Sequence, residues 1–426
     1  MSVVIAHVRA VVWLVVLALP INAAGQPPEP EPETEPETKP APPSPPPIQR
    51  KPVMMYSGPL GAGITDASDY GKYPLSLYGL LQVRDTLTKV GLESSPFTNA
   101  LAVHRARLLA GGYIASPKIT YFLFAGFGAG DFEPGNGAAL FDAVVTFALH
   151  RDLVVRVGQF AYSVDRQAPI PPFIHQMIDR SPVVLELGAA TDVGVQLGSN
   201  NLFGLGDRFK YKLYVGSGEG RNQAAVAPVG FVYAARIEVN PFGKFDDSVE
   251  ADLERSSRPR LSLGVGAGFN HKAQRDHGNF GPRYTLGGFD YRSAAADLMF
   301  KFAGLSILTE VMVRTSDQLS RTGVGADGMP KTEYSRSGLG YFVQAGYMLP
   351  SFVELAGRFS RLIKQRDTDP ALEQEIRDRG QELGGTVSWY VFRNHGMKLQ
   401  ADYFYQYGSE GGAARHQARA QLQASF

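Results

Sequence analysis

Arg105 and Arg107 stand two residues apart, and Lys210 and Lys212 repeat that spacing further along the chain. On an extended strand, residues two apart share one face. Two cations on one face make a short row of donors, along which an anion passes without being held tightly. Arginine suits oxyanions because its planar fork donates two parallel hydrogen bonds. No other grouping offers chemistry as well defined. Gly216–Gly220 (GSGEG) lacks the glycine two places before Ser217 that a nucleophile elbow needs, and Gly264–Gly268 (GVGAG) misses the dinucleotide spacing. Both read as strand-end glycines. His271 and His277 are six apart and match no metal-ligand spacing. With no cysteine in the chain, disulfides, thiolate metal sites and thiol nucleophiles are excluded. The expectation is a protein that is not an enzyme, with no catalytic residue, metal or cofactor.

Such rows need strands to position them. From Leu75 onward nearly every segment alternates with period two. Lys210, Lys212 and Tyr214 alternate with Phe209, Tyr211, Leu213 and Val215; Lys398, Gln400 and Asp402 alternate with Met397, Leu399, Ala401 and Tyr403. Strands are expected near 75–84, 101–114, 118–128, 140–149, 152–161, 191–199, 209–217 and 231–240. Others are expected near 260–270, 291–302, 304–314, 338–349, 352–361, 381–393, 397–407 and 416–426, making sixteen. Each is about long enough to cross a bilayer at a tilt. An even count fits a closed all-β barrel with both termini on one side. The one hint of a helical period, Pro370–Arg379, falls inside a loop.

The connections alternate short and long. Ser116-Pro117, His150-Arg151, Ala303, Pro350-Ser351 and Asn394-His395 are short; 85–100, 162–190, 271–290, 315–337 and 362–380 are long. Tight turns on one rim and long loops on the other belong to a transmembrane antiparallel barrel, not to a soluble sandwich. The connection 241–259 breaks the pattern: it falls on the short-turn rim yet is long and charged, and reads as an ordered periplasmic excursion.

Composition agrees with a barrel. Glycine is 47 of 426 residues, about 11% against a typical ~7%, which suits tight turns and close-packed strands. Lys plus Arg is 42 and Asp plus Glu 41, so no bulk charge points to nucleic acid. At the N-terminus, Arg9, the apolar run Ala10–Leu19 and the small residues around Ala23-Ala24 read as a signal peptide over 1–24. Its ten-residue apolar run falls short of the ~20 residues a spanning helix needs. The segment 25–52 alternates Pro with Glu, cannot pack a core and favours extended polyproline II. It reads as a disordered periplasmic linker, or as a stiff tether into the cell-wall layer. The barrel domain is expected over 53–426.

His416–Phe426 carries the alternation to an aromatic. Gln417, Arg419, Gln421, Gln423 and Ser425 share one face; Ala418, Ala420, Leu422, Ala424 and Phe426 share the other. In a transmembrane barrel the polar face lines a wet lumen and the smooth face meets outer-membrane lipid. Phe426 is the expected assembly signal, at the place where the last strand pairs with the first.

Several short runs occur in a definite order: Val103–Leu108 (VHRARL), Asp142-Ala143, Arg156–Phe160 (RVGQF), Asp179–Pro182 (DRSP), Asp192–Gln196 (DVGVQ) and Asn240–Gly243 (NPFG). Together, over roughly 75–426, they resemble the phosphate-selective porins of the O and P type. The resemblance implies a passive, trimeric outer-membrane channel of a Gram-negative-type bacterium, with the barrel-assembly machinery as a partner. It also implies that the third long loop, 162–190, folds inward to narrow the lumen, and that a long turn after NPFG is tolerated.

On the polar faces, the pore-lining candidates are Arg84, Arg105, Arg107, Lys210, Lys212, Arg236, Lys301, Arg314, Arg358, Lys398 and Arg419. Acidic lumen candidates are Asp142, Asp192, Glu238, Asp297, Glu310, Glu354 and Asp402. The constriction-loop candidates Asp165, Arg166, His175, Asp179, Arg180 and Glu186 do not make a basic loop, whereas the resemblance associates phosphate preference with rows of Arg and Lys. The basic surplus predicts passive diffusion of small anions or polar solutes with a mild anion preference. The alternative is that these charges pair with one another and only keep the wall hydrated and rigid. A different class of function is a structural barrel anchored to the cell wall through the Pro/Glu-rich tail.

Overall fold

Period-two alternation becomes one closed sheet. A computed structural model of the chain describes residues 64–66, 75–91, 94–132, 140–223, 230–365, 367–408 and 411–426. The expected signal peptide and Pro/Glu-rich linker lie outside the described residues. The first barrel strands are β1 (Leu75–Val90), β2 (Thr98–Ile114), β3 (Ser116–Gly126), β4 (Leu140–His150) and β5 (Leu153–Ala161). Then come β6 (Thr191–Ser199), β7 (Phe209–Gly216), β8 (Val232–Val239), β9 (Arg260–Ala273), β10 (Phe289–Phe302) and β11 (Leu305–Ser316). The last are β12 (Gly338–Met348), β13 (Val353–Lys364), β14 (Gln381–Tyr390), β15 (Met397–Tyr407) and β16 (Arg415–Ser425). Each pairs antiparallel with its sequence neighbour. β16 returns to β1, from Arg415↔Val90 to Ser425↔Leu80, and closes a sixteen-stranded barrel.

The expected strands are all present, with shifted ends. The loop expected over 85–100 shrinks to 91–97, because pairing between β1 and β2 continues out to Thr88↔Thr98. The 315–337 loop holds a hairpin, Ser320–Val324 with Pro330–Tyr334. Two helices lie in loops: α1 (Pro182–Leu187), with Ser181 as N-cap, and α2 (Pro370–Arg379), where Asp369 accepts from the Ala371 N–H. α2 is the helical period foreseen from sequence. Gly216–Gly220 does sit at a strand end, but Gly264–Gly268 lies in the middle of β9.

The exterior is apolar. Leu213, Val265, Leu355 and Val387 project outward and are exposed, while their chain neighbours Tyr214, Gly264, Gly266 and Ser388 are buried. Exposed Tyr347, Trp389 and Phe426 mark the short-turn rim, and Phe127, Phe231 and Tyr233 the long-loop rim. Two aromatic girdles around an apolar band are how a barrel meets lipid. No helix among the described residues is long and apolar enough to cross a membrane. Val387→Arg is therefore expected to destabilise the barrel in lipid vesicles by about 2–4 kcal/mol, a depth-dependent cost that an exposed position in water does not carry. Urea unfolding of the vesicle-embedded protein checks it.

The seam has its own fit. Gly79 of β1 donates to the Phe426 carbonyl at 2.6 Å, and the Phe426 N–H returns to Gly79 at 3.0 Å. The Phe426 ring lies over Gly79, where a Cβ would come within 2.3 Å of it. A glycine is needed there for the ring to close over the backbone.

Candidate functional site

The lumen is occupied by the chain itself. The segment 162–190, between β5 and β6, makes polar contacts to β1, β2 and every strand from β8 to β16. The Arg236 guanidinium of β8 donates to the Val164 carbonyl; Arg166 donates to Ser262 of β9 and Asp297 of β10; the Gln167 N–H donates to Glu310 of β11. Gln344 of β12 donates to Gln176, which itself donates to Glu354 of β13. Thr386 of β14 meets the Met177 sulfur, Lys398 of β15 the His175 carbonyl, and Gln423 of β16 the Phe173 carbonyl. Only from inside a closed barrel can one segment reach so many strands. The wall is shaped to admit it: a Cβ on Gly266 would lie 2.0 Å from the Val164 carbonyl, and one on Gly340 2.6 Å from Val183.

Charge is concentrated where this loop meets the wall. Asp179 accepts from Arg84 at 2.9 Å, from Arg105 at 3.3 Å and from Arg419. Burial favours the neutral Asp179, but Arg419, Arg84 and Arg105 outweigh it and hold the carboxyl far below the usual carboxylate range. Arg419 also bridges to Asp402. Arg166 and Arg236 share Asp297, Arg236 also binds Glu238 at 2.7 Å, and Lys212 reaches Glu238 at 3.3 Å. Arg107 pairs with Asp131 at 2.8 Å, and Arg358 with Glu382 at 2.9 Å. Asp165 accepts from the Ala168 N–H, while burial pushes its carboxyl up.

Glu186 pins the other end of the loop. It accepts from Arg314 and Arg336 at 2.7 Å each and from His277 at 3.1 Å. Burial would raise its pKa, but His277, Arg336 and Arg314 bring it well below the ordinary value. Burial would lower that of His277, but hydrogen bonds to Asp276 and Glu186 raise it. A raised His contributes stability that is complete below its unfolded pKa of about 6.5 and lost as pH rises through the folded value; the lowered Glu contributes fully above about 4.3 and loses its share only in acid. The melting temperature is therefore expected to fall between pH 6 and pH 9, and to fall less in His277→Gln. Parallel slopes in the two proteins would show that this anchor does not titrate.

The irregular connection 241–259 also turns inward. Glu250, 1% exposed, accepts from Gln167 Nε2 and the Gln176 N–H at 2.7 Å each, from His175 Nδ1 at 3.0 Å and from Gln344 at 3.1 Å. Burial pushes His175 below its ordinary value, against the pull of Glu250. Asp247 binds Lys210 at 2.7 Å, and Lys301 donates to the Asp246 and Val249 carbonyls. Val249 packs with Ile170, Phe173 and Ile174 of the loop and with Leu80 and Phe124 of the wall. The excursion that looked anomalous in the sequence is a second lumen filling, entering from the short-turn rim.

All the basic lumen candidates thus have partners inside the barrel, and most of those partners are carboxylates or carbonyls of the two inserted segments. Lys398, Glu354, Gln344 and Gln423 are wholly buried, at 0% exposure. Among the acidic candidates, Asp192 plays a local part: it accepts from Ser217 Oγ and the N–H groups of Gly218 and Gly220, shaping the turn after β7. Among the described residues, Arg105 pairs with Asp179 and Arg107 with Asp131 rather than with Asp142. Sequence reading passed over Arg156, Arg221, Asp131, Asp247 and Glu250. Arg156 was visible as the polar member of β5; the other four lie in loops, where no face pattern exists.

Two cavities flank the filling. Near the long-loop rim, one of about 350 Å³ is lined by Arg105, Arg107, Arg180, Arg221 and Asp142 among others. Near the short-turn rim, one of about 750 Å³ is lined by Arg156, Lys210, Lys212, Glu238 and Asp247. The two share no lining residue.

Solved structures share this arrangement of strands. The outer membrane channel DcaP of Acinetobacter baumannii matches with a TM-score of 0.52 at 12% identity, over 84% of this chain and 99% of that one. OprB of Pseudomonas putida matches with 0.52 at 12%, over 82% and 94%. An anion-selective porin from Comamonas acidovorans matches with 0.50 at 10%, over 83% and 100%. The barrel has a porin's fold. At such identities the likeness is one of fold. No family model matches the chain, and no curated protein does.

Proposed function

We propose that the chain is an outer-membrane porin, a passive diffusion channel for small hydrophilic solutes with a mild preference for anions. The observation that carries this reading is the charge around Asp179, where the three guanidiniums of Arg84, Arg105 and Arg419 meet two carboxylates, Asp179 and Asp402. Fixed positive charge in a narrow, low-dielectric conduit favours anions. The resemblance to the O and P porins agrees with the channel reading. The mixed charge of 162–190 argues against a tight phosphate site. The expected setting is a homotrimer in the outer membrane of a Gram-negative-type bacterium, secreted by the signal peptide 1–24 and linked through 25–52. Both inserted segments narrow the conduit from within.

A bilayer recording under unequal KCl tests this. Stepwise conductance with a reversal potential on the chloride side is expected; strong cation selectivity would overturn the charge assignment, and block by micromolar phosphate would overturn the mildness. The filled lumen gives some weight to a second reading, a structural barrel tethered to the cell wall by the Pro/Glu-rich tail. That reading predicts no conductance at all, and a weakened envelope when 26–52 is deleted.

Phe426 is proposed as the strand end read by the barrel-assembly machinery. Phe426→Asp is expected to reduce folded barrel several-fold while leaving secretion intact, since it removes the ring that covers Gly79 at the seam. Equal amounts of heat-modifiable barrel from variant and wild type would count against it.

A further inference from the structure

The cavity beneath the long loops combines two kinds of surface. Arg105, Arg107, Arg180 and Arg221 line it, with Asp142 as the one carboxylate in that lining. Arg180 donates to the backbone carbonyls of Gln167, Ala168 and Ile170, so these bonds leave its charge uncancelled. Arg107 is paired with Asp131, yet its Nη1 is buried with no acceptor among the described residues; the same holds for Arg105 Nε. A buried donor left unsatisfied is unfavourable, and an incoming oxyanion offsets that cost. Burial and the nearby Arg105 bring Arg180 down to about 10, the direction that crowded cations take.

The other surface is apolar. Leu185 of α1 is 53% exposed and Phe132 44% exposed, and both line this cavity. The Phe141 ring carries the guanidiniums of Arg107 at 4.5 Å and Arg221 at 4.1 Å. A path for hydrated inorganic ions gains nothing from an exposed leucine on the inserted loop and an exposed phenylalanine after β3, because apolar surface facing water is unfavourable. We infer that the cavity is a binding site for an organic anion with an apolar ring, of the aryl carboxylate class. The carboxylate lies among the four guanidiniums and the ring against Phe132 and Leu185. A volume of about 350 Å³ falls within the roughly 300–1,000 Å³ of small-molecule sites. As an entry station for solute the site rests on the channel reading; binding itself does not require conduction.

Calorimetric titration of the full-length folded protein in detergent, with sodium benzoate, sodium acetate and benzyl alcohol in turn, tests the proposal. Benzoate is expected to bind about tenfold tighter than acetate, which lacks the ring, and about tenfold tighter than benzyl alcohol, which lacks the charge that the guanidiniums pair with. Leu185→Ser, at an exposed position that leaves the fold intact, should weaken benzoate and leave acetate unchanged. Arg221→Gln should weaken both acids. Benzoate no tighter than acetate, or benzyl alcohol equal to benzoate, overturns the proposal, as does absence of binding by a barrel that circular dichroism shows to be folded. Conduction without benzoate binding sinks this site and spares the channel; binding without conduction does the reverse.

Discussion

Replacing residues 244–257 with a short Gly/Asn turn is expected to raise single-channel conductance several-fold. Strands β8 and β9 already pair at Val239↔Leu263, so a tight turn can join them without disturbing the sheet. The excised residues include Glu250, which holds Gln167, His175, Gln176 and Gln344, and Val249, which seals an apolar contact with the 162–190 loop. Their loss vacates the short-turn end of the lumen and frees the loop from one of its supports. Glu250→Ala should act in the same direction but less, because it leaves buried donors unpaired at about 1–3 kcal/mol each rather than removing the obstruction. Unchanged conductance through an intact barrel would show that the segment does not limit the path.

Asp179→Asn should move the reversal potential further toward chloride. Asp179 is the carboxylate that Arg84, Arg105 and Arg419 share, so its neutralisation leaves three cations facing one another, with Asp402 alone still beside Arg419. The same change should lower stability by roughly 3 kcal/mol, since removing one partner of a mostly buried ion pair strands the others. Arg105→Ala with Arg107→Ala should do the opposite to selectivity, and also lose stability because Arg107 holds the buried Asp131. Selectivity that stays fixed in both variants while stability drops would assign these charges to holding the wall together.

The strands were legible because a period of two needs only neighbours in sequence, and the alternation in Lys398–Asp402 and Arg419–Gln423 reappears in the burial of β15 and β16. The basic lumen candidates were found in the same way. What filled the lumen was not legible, since its contacts join residues far apart, such as Gln176 with Glu354 and Arg166 with Asp297. The rule of polar side chains inward also failed in β3 to β5: Phe124, Val144 and Phe160 point inward to meet the apolar side of the inserted loop. An interior that is partly a hydrophobic core does not announce itself as a lumen. The connection 241–259 was recognisable as an exception to the rim pattern, but its destination lay in partners such as Lys210, Lys301 and Gln344, each on a different strand.

The contacts of 162–190 with β1 and β2 on one side and β8 to β16 on the other constrain the order of events when this protein is made. With Gln176 buried between Gln344 and Glu354, the loop is expected to be in place before the cylinder closes. The expected order is that the sheet curls around a filling drawn from its own middle and that the joint at Gln82 and Gln423, 341 residues apart, closes afterwards. Such long-range closure makes folding slow. It also ties core and wall into one cooperative unit, so that heat should melt the inserted loop and the cylinder together rather than in turn.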